Sequence, residues 1–216
     1  MEIKSFIGGF DKNLSYIVWC EKTKLASLID PAVEPLEIFE FIESEDLILE
    51  KILITHTHHD HIHYLNDFID KYPLLNIYCF IEPVNNFKKD YIGLEHNQVI
   101  SIGNSLLTAL HTPGHFSDSL CYWSKEKEII FTGDTVFIGR TGRTISNGSN
   151  IEHLYNSIYN IILRIPHETI ICPGHHYGFT QHEKISFNVK NSNFFQCKNL
   201  NKFIEIMDNF EKNRKK

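Results

Sequence analysis

THTHHDH, residues 55 to 61, closes the apolar run KILIT (51 to 55) and concentrates four metal-ligand side chains in one short segment. His56 and His58 stand two apart, so on extended backbone both side chains point to one side. Asp60 and His61 open a segment, Asp60 to Tyr72, in which His61, Leu65, Phe68, Ile69 and Tyr72 share one helical face. The cluster therefore sits where a strand ends and a helix begins. A lone histidine there would read as structural, but four donors at this density directly after an apolar strand read as a metal site.

A zinc-type ion prefers about four ligands, and a catalytic one keeps a position open for water, so further donors must come from elsewhere. His115 in HTPGH, Asp134 in FTGD and His175 in ICPGHH each follow an apolar strand. Gly114, Gly133 or Gly174 precedes each donor and permits the tight turn that aims a side chain inward. Each tripeptide is weak by itself. Their succession at what should be one sheet edge is the stronger signal.

Around these segments the chain reads as alternating strands and helices. LSYIVWC (14 to 20) and KLASLID (24 to 30) form a hairpin across EKT, and Glu34 to Ser44 carries Leu36, Phe39 and Ile42 at helical spacing. NIYCF (76 to 80), QVISI (98 to 102), SLLTALH (105 to 111), SLCYW (119 to 123) and EIIF (128 to 131) read as strands of a mostly antiparallel sheet. Asn150 is suited to cap a helix whose Ile151, Leu154, Ile158 and Ile161 or Ile162 face inward. ETIIC (168 to 172) follows as a buried strand, and a last helix covers Leu200 to Phe210. The expected fold class is α+β, two packed sheets with helices outside, as one domain over 1 to 216 with a short helical tail from about 199.

Composition narrows the function. The 216 residues carry 21 Lys and Arg against 27 Asp and Glu, a formal charge of −6, and an acidic balance argues against a nucleic-acid partner. The basic stretch from Lys212 to Lys216 reads as a solvated tail. Thirteen histidines are many for an ordinary surface, and His is the commonest metal ligand. Five cysteines without a C-x-x-C pair suit a reducing cytosol, and no apolar run approaches the roughly 18 residues of a membrane span. A soluble, cytoplasmic protein is expected; oligomeric state is not legible.

The motif set resembles the metallo-β-lactamase superfamily, which places a THxHxDH segment, a later His, a later Asp and a final His in this order. The resemblance implies a four-layer αββα sandwich with two mostly antiparallel sheets. It also implies one ion on His56, His58 and His115, a second on Asp60, His61 and His175, and Asp134 bridging both. Two divalent ions, zinc in the first instance with iron or manganese as options, would share a hydroxide as nucleophile. Asp60 would steer that nucleophile or carry its proton.

Within the superfamily the chain is similar to the glyoxalase II and persulfide dioxygenase branch, both of which handle glutathione derivatives. Arg143 in GRTGRT falls where these enzymes hold a basic residue for a substrate carboxylate, and Tyr177 in HHY matches a tyrosine that contacts glutathione. The implied activity is hydrolysis of a small thioester, an S-acylglutathione for preference. The alternative is dioxygenation of glutathione persulfide at one iron held by His56, His115 and Asp134. Only about forty residues follow His175, shorter than the separate helical domain of glyoxalase II. His59, His63, His96, His111, His153, His167 and His182 are expected outside the ligand set, Cys121 and Cys172 in the core, and His176 marks a departure from relatives that carry an acid there.

Overall fold

Apolar residues alternate along the central strands, and the two sets face different layers. A computed structural model describes residues 1 to 84 and 87 to 214. The first half runs β1 (Glu2–Gly8), β2 (Asn13–Trp19), β3 (Leu25–Ile29), α1 (Pro35–Ser44), β4 (Ile48–Leu53), α2 (Leu65–Lys71), β5 (Asn76–Phe80) and β6 (Ile92–Leu94). The second runs β7 (Val99–Ile102), β8 (Ser105–His111), β9 (Leu120–Ser124), β10 (Ile129–Gly133), β11 (Val136–Phe137), β12 (Arg140–Thr141), α3 (Ile151–Asn160), β13 (Ile170–Pro173), β14 (Glu183–Lys184), α4 (Ile185–Asn191) and α5 (Leu200–Arg214).

In β3 and β4, Leu28 and Ile52 pack under α1 and α2 with Ile38, Ile42, Leu65 and Phe68. Their neighbours Ile29 and Leu53 join Tyr16, Tyr122 and Phe131 between the sheets. On the other side Ile130 and Ile171 meet Leu154, Ile158, Phe203 and Met207 of α3 and α5, while Phe131 and Cys172 face the inter-sheet layer. Period-two alternation thus gives each sheet two buried faces, and the protein is a four-layer αββα sandwich.

The sheets run β1-β2-β3-β4-β5-β6 and β14-β13-β10-β9-β8-β7. The second is antiparallel apart from β10 against β13. The first is mixed, because α1 and α2 carry the chain across so that β4 runs parallel to both β3 and β5. Pro35 opens α1, as its fixed φ allows. The buried pair is Ile38 and Ile42, one turn apart; Leu36, expected to face inward, is 67% exposed because it lies about 200° round the helix from Ile38. The segment after His58 is a short 3-10 turn over His59–His61 before α2, rather than one helix from Asp60. The last helix extends to Arg214, so the first part of the expected basic tail is helical, and Lys215 and Lys216 lie outside the described residues.

β4, β8, β10 and β13 all end at the same edge. There the sheets are stitched together, Leu120 N–H donating to the Thr55 carbonyl and Leu14 N–H to the Gly174 carbonyl. All five cysteines are buried and unbonded, and among the described residues no helix is long and apolar enough to cross a membrane.

Candidate metal centre

Each candidate ligand follows one of those strand ends. The backbone after β4 delivers His56, His58, Asp60 and His61; the turns after β8, β10 and β13 deliver His115, Asp134 and His175. His58 Nδ1 lies 3.0 Å from His56 Nε2 and 3.1 Å from His115 Nε2. His61 Nε2 lies 3.2 Å from His175 Nε2, which also faces Asp60 Oδ2 at 3.3 Å. Asp134 stands between these trios, with Oδ1 3.3 Å from His61 Nε2 and Oδ2 3.3 and 3.5 Å from His175 and His115 Nε2. All seven residues named from the sequence are therefore brought together.

Two glycines make this proximity possible. A Cβ on Gly174 would lie 2.5 Å from Asp134 Oδ1 and 2.7 Å from His61 Cε1, so any side chain there would occupy the centre itself. Gly133 has φ +47°, which turns the chain at the end of β10 and sets Asp134 inward.

The distal ring nitrogens are held in turn. His61 Nδ1 donates to Asp30 Oδ2 at 2.8 Å, His115 Nδ1 to the Arg143 carbonyl at 2.8 Å and His175 Nδ1 to the Asp11 carbonyl at 2.9 Å. His56 Nδ1 faces Thr55 Oγ1 at 3.2 Å. With the protons at these positions, the Nε2 lone pairs of four imidazoles point at one another. Thr57 N–H and hydroxyl donate to Asp118, which fixes the segment between the first two ligands.

That crowding tests whether a metal fits. Imidazole nitrogens packed at 3.0 to 3.2 Å, with the outer nitrogens of His61, His115 and His175 already donating, converge as ligands around a cation do. Asp134 Oδ1 is buried without a hydrogen-bond partner, a costly arrangement unless the oxygen ligates an ion. Five imidazoles with two carboxylates suit divalent zinc, iron or manganese. The set fits a divalent metal centre.

Titration follows the same division. Burial, then the charge of neighbouring imidazoles, holds His56 well below its ordinary range and brings His58 down to about 4. Burial would also lower His61 and His175, but Asp134 outweighs it and carries both up, His175 to about 9. Burial pushes Asp60 and Asp134 upward, and the imidazoles, with Asn13 donating to Asp60, more than reverse it.

The pocket over the centre holds about 210 Å³. Arg143 and Tyr177 both line it, as do Arg140 and Arg214. The Arg143 guanidinium is engaged by Glu211 of α5 through Nε and Nη2. Tyr177 stacks on His175 at 4.9 Å between ring centres and donates its hydroxyl to Asp11. His59 and His63 pack on Phe10, and His111 stacks on Phe80 with Nε2 facing the Ser117 carbonyl, so all three stay outside the donor set. Asp30, Asn13, Asp11 and Arg140 were not anticipated. For Asp30 the signal was present, an acid ending the apolar run SLID in the way Asp134 ends FTGD.

Two helix-flanked sheets with five imidazoles and two carboxylates at their common edge define an αββα protein with a donor cluster that fits a metal centre. The sequence model of the Metallo-beta-lactamase superfamily matches residues 8–175, and the chain belongs to that superfamily. It is 29% identical over 213 residues to the probable hydroxyacylglutathione hydrolase glo2 of Schizosaccharomyces pombe, spanning 94% of this chain and 77% of that one. It is 30% identical over 206 residues to the probable polyketide biosynthesis zinc-dependent hydrolase BaeB of Bacillus velezensis, spanning 94% and 89%. The crystal structure of ETHE1 from Myxococcus xanthus superposes with a TM-score of 0.87 at 26% identity, covering 97% of this chain and 91% of that chain.

Proposed function

We propose that this protein is a metal-dependent thioester hydrolase acting on a small thiol-conjugated substrate, an S-acylglutathione for preference. The observation that carries it is Asp134 standing between two three-residue donor groups, an arrangement with places for two ions. Relatives named hydroxyacylglutathione hydrolase support the substrate class. In this reading His56, His58 and His115 hold one ion, Asp60, His61 and His175 the other, and Asp134 both, all within one domain. When bound, a divalent pair ionises water near neutral pH and polarises the scissile carbonyl.

The chain's own groups do the rest. Asp60 is fixed through Oδ2 by Asn13 Nδ2 at 3.0 Å, beside His175 and His61, where it orients the attacking water. Asp30, Asp11 and the Arg143 carbonyl keep three imidazoles in the tautomer that presents Nε2. Arg143 and Tyr177 form part of the wall against which the thiol carrier lies. A thiol leaves as its anion close to neutral pH, its pKa being about 8.5, so the leaving group asks little of a general acid.

The likeness to ETHE1 favours a second reading, persulfide dioxygenation at one iron on His56, His115 and Asp134. Metal analysis of protein purified without added metal, with parallel assays of thioester cleavage and oxygen uptake on glutathione persulfide, separates the two. Thioester cleavage at two metals per chain is expected. One iron per chain with oxygen uptake and no thioesterase would overturn hydrolysis.

A further inference from the structure

The loop between β11 and β12 presents Arg140 to the pocket on a braced turn. Asn188 of α4 is fully buried and clamps that turn on both sides, accepting from Gly139 N–H at 2.7 Å and donating to the Phe137 carbonyl at 2.7 Å. Gly139 has φ +81°, as the third position of a tight turn requires. The guanidinium that follows lies 3.9 Å over the Tyr177 ring, with Phe137 at 5.2 Å and Phe210 at 5.5 Å. Three aromatic rings and a pinned backbone hold it in one place.

Among the described residues Arg140 also forms no salt bridge, and its Nε is buried with no hydrogen-bond partner. Arg143 and Arg214 line the same pocket and repel Arg140, while the Asp134 carboxylate attracts it. Of the three, Arg143 already has the Glu211 carboxylate on its planar fork. A half-buried guanidinium held by rings but by no salt bridge, with two further arginines on the wall of the same pocket, is stabilised by an anion that enters.

We propose that Arg140, rather than Arg143, anchors a carboxylate of the thiol carrier, so that the site selects carriers bearing a free carboxylate. The proposal rests on the thioesterase reading. Its geometry follows from Arg140 lining the pocket that holds His58, Asp60, His115 and Asp134: a carrier held there by its carboxylate lies against Tyr177 with its sulfur toward the donor cluster.

The test compares wild type, Arg140→Ala and Arg140→Lys, each loaded to the same zinc content. Their substrates are the acetyl thioesters of glutathione and of N-acetylcysteamine, which share an acyl group while only glutathione carries carboxylates. Arg140→Ala should lower kcat/KM for the glutathione ester about ten- to a hundredfold, mainly through KM, with Arg140→Lys intermediate. The N-acetylcysteamine ester should change less than about threefold. Equal losses on both carriers, or no loss on glutathione, overturn the proposal.

A second arm needs no turnover and reads S-hexylglutathione binding to the same three proteins by calorimetry. If wild type cleaves neither thioester, the hydrolase reading fails and this arm still decides the anchor. Binding weakened about tenfold or more by Arg140→Ala supports it. Equal affinity, or no measurable binding by wild type, overturns it.

Discussion

Asp30 Oδ2 accepts the Nδ1 proton of His61 at 2.8 Å, while its two oxygens also take the N–H and hydroxyl of Thr55 at 2.7 and 2.6 Å. One buried carboxylate at the end of β3 thus sets both the tautomer of a ligand and the backbone that starts the THTHHDH segment. Asp30→Asn keeps the volume and removes the charge. Metal affinity, read by competition with a chromogenic chelator, should fall about ten- to a hundredfold. Unchanged affinity would show that His61 is oriented by packing alone.

Asp134 reaches both histidine groups, and among the described residues no other carboxylate does so in this way. Asp134→Ala should reduce bound metal from two equivalents to fewer than one, measured by elemental analysis after equilibrium dialysis, with thioesterase activity lost in step. The substitution also removes the carboxylate facing His61, His115 and His175, so a melting curve of the metal-free variant separates lost ligation from lost folding. Retention of both equivalents would contradict the bridging role.

The donors were legible because they obey a local rule: each ends an apolar strand whose alternation is itself visible, as in β4, where Ile52 and Leu53 face opposite layers. Elements set by long-range pairing were less so. β1 is half exposed and polar at alternate positions, yet it pairs with β2 along its full length, from Glu2 to Gly8. β6, β11 and β12 are only two or three residues long, too short for periodicity to speak. Arg143 was singled out by its place after Asp134, which resembles that of a carboxylate-binding base in the glyoxalase II branch; its fork lies on Glu211, 68 positions away. Arg140 sits three residues earlier in the same run, and only the tertiary stacking on Tyr177 distinguishes it.

Arg143 and Glu211 meet through two contacts of 2.6 and 2.5 Å, with side-chain exposures of 31% and 16%. Such a bidentate, mostly covered pair is worth more than an ordinary surface ion pair. A double-mutant cycle of Arg143→Ala and Glu211→Ala on urea unfolding should give a coupling of about 1 kcal/mol, tying α5 to the loop whose Arg143 carbonyl holds His115. Strict additivity would mean that the contact contributes nothing to docking that helix.

Removing the metal should make stability fall with rising pH on the alkaline side. In chelator-stripped protein His175 is raised to about 9 against an ordinary value of about 6.5. Its protonation therefore stabilises the fold fully below about pH 6.5, and that contribution disappears as pH rises through about 9. His58, lowered to about 4, acts oppositely: its neutral form stabilises above about pH 6.5, and the benefit is lost as pH falls through about 4. The stripped protein should melt highest near pH 6.5 and lower on either side. Metal binding needs the imidazoles unprotonated, so its contribution grows with pH across the interval in which the stripped protein weakens. The difference in melting temperature between loaded and stripped protein should accordingly widen from pH 6.5 to 9. A constant or shrinking difference would mean that His61 and His175 do not exchange their protons for the ion.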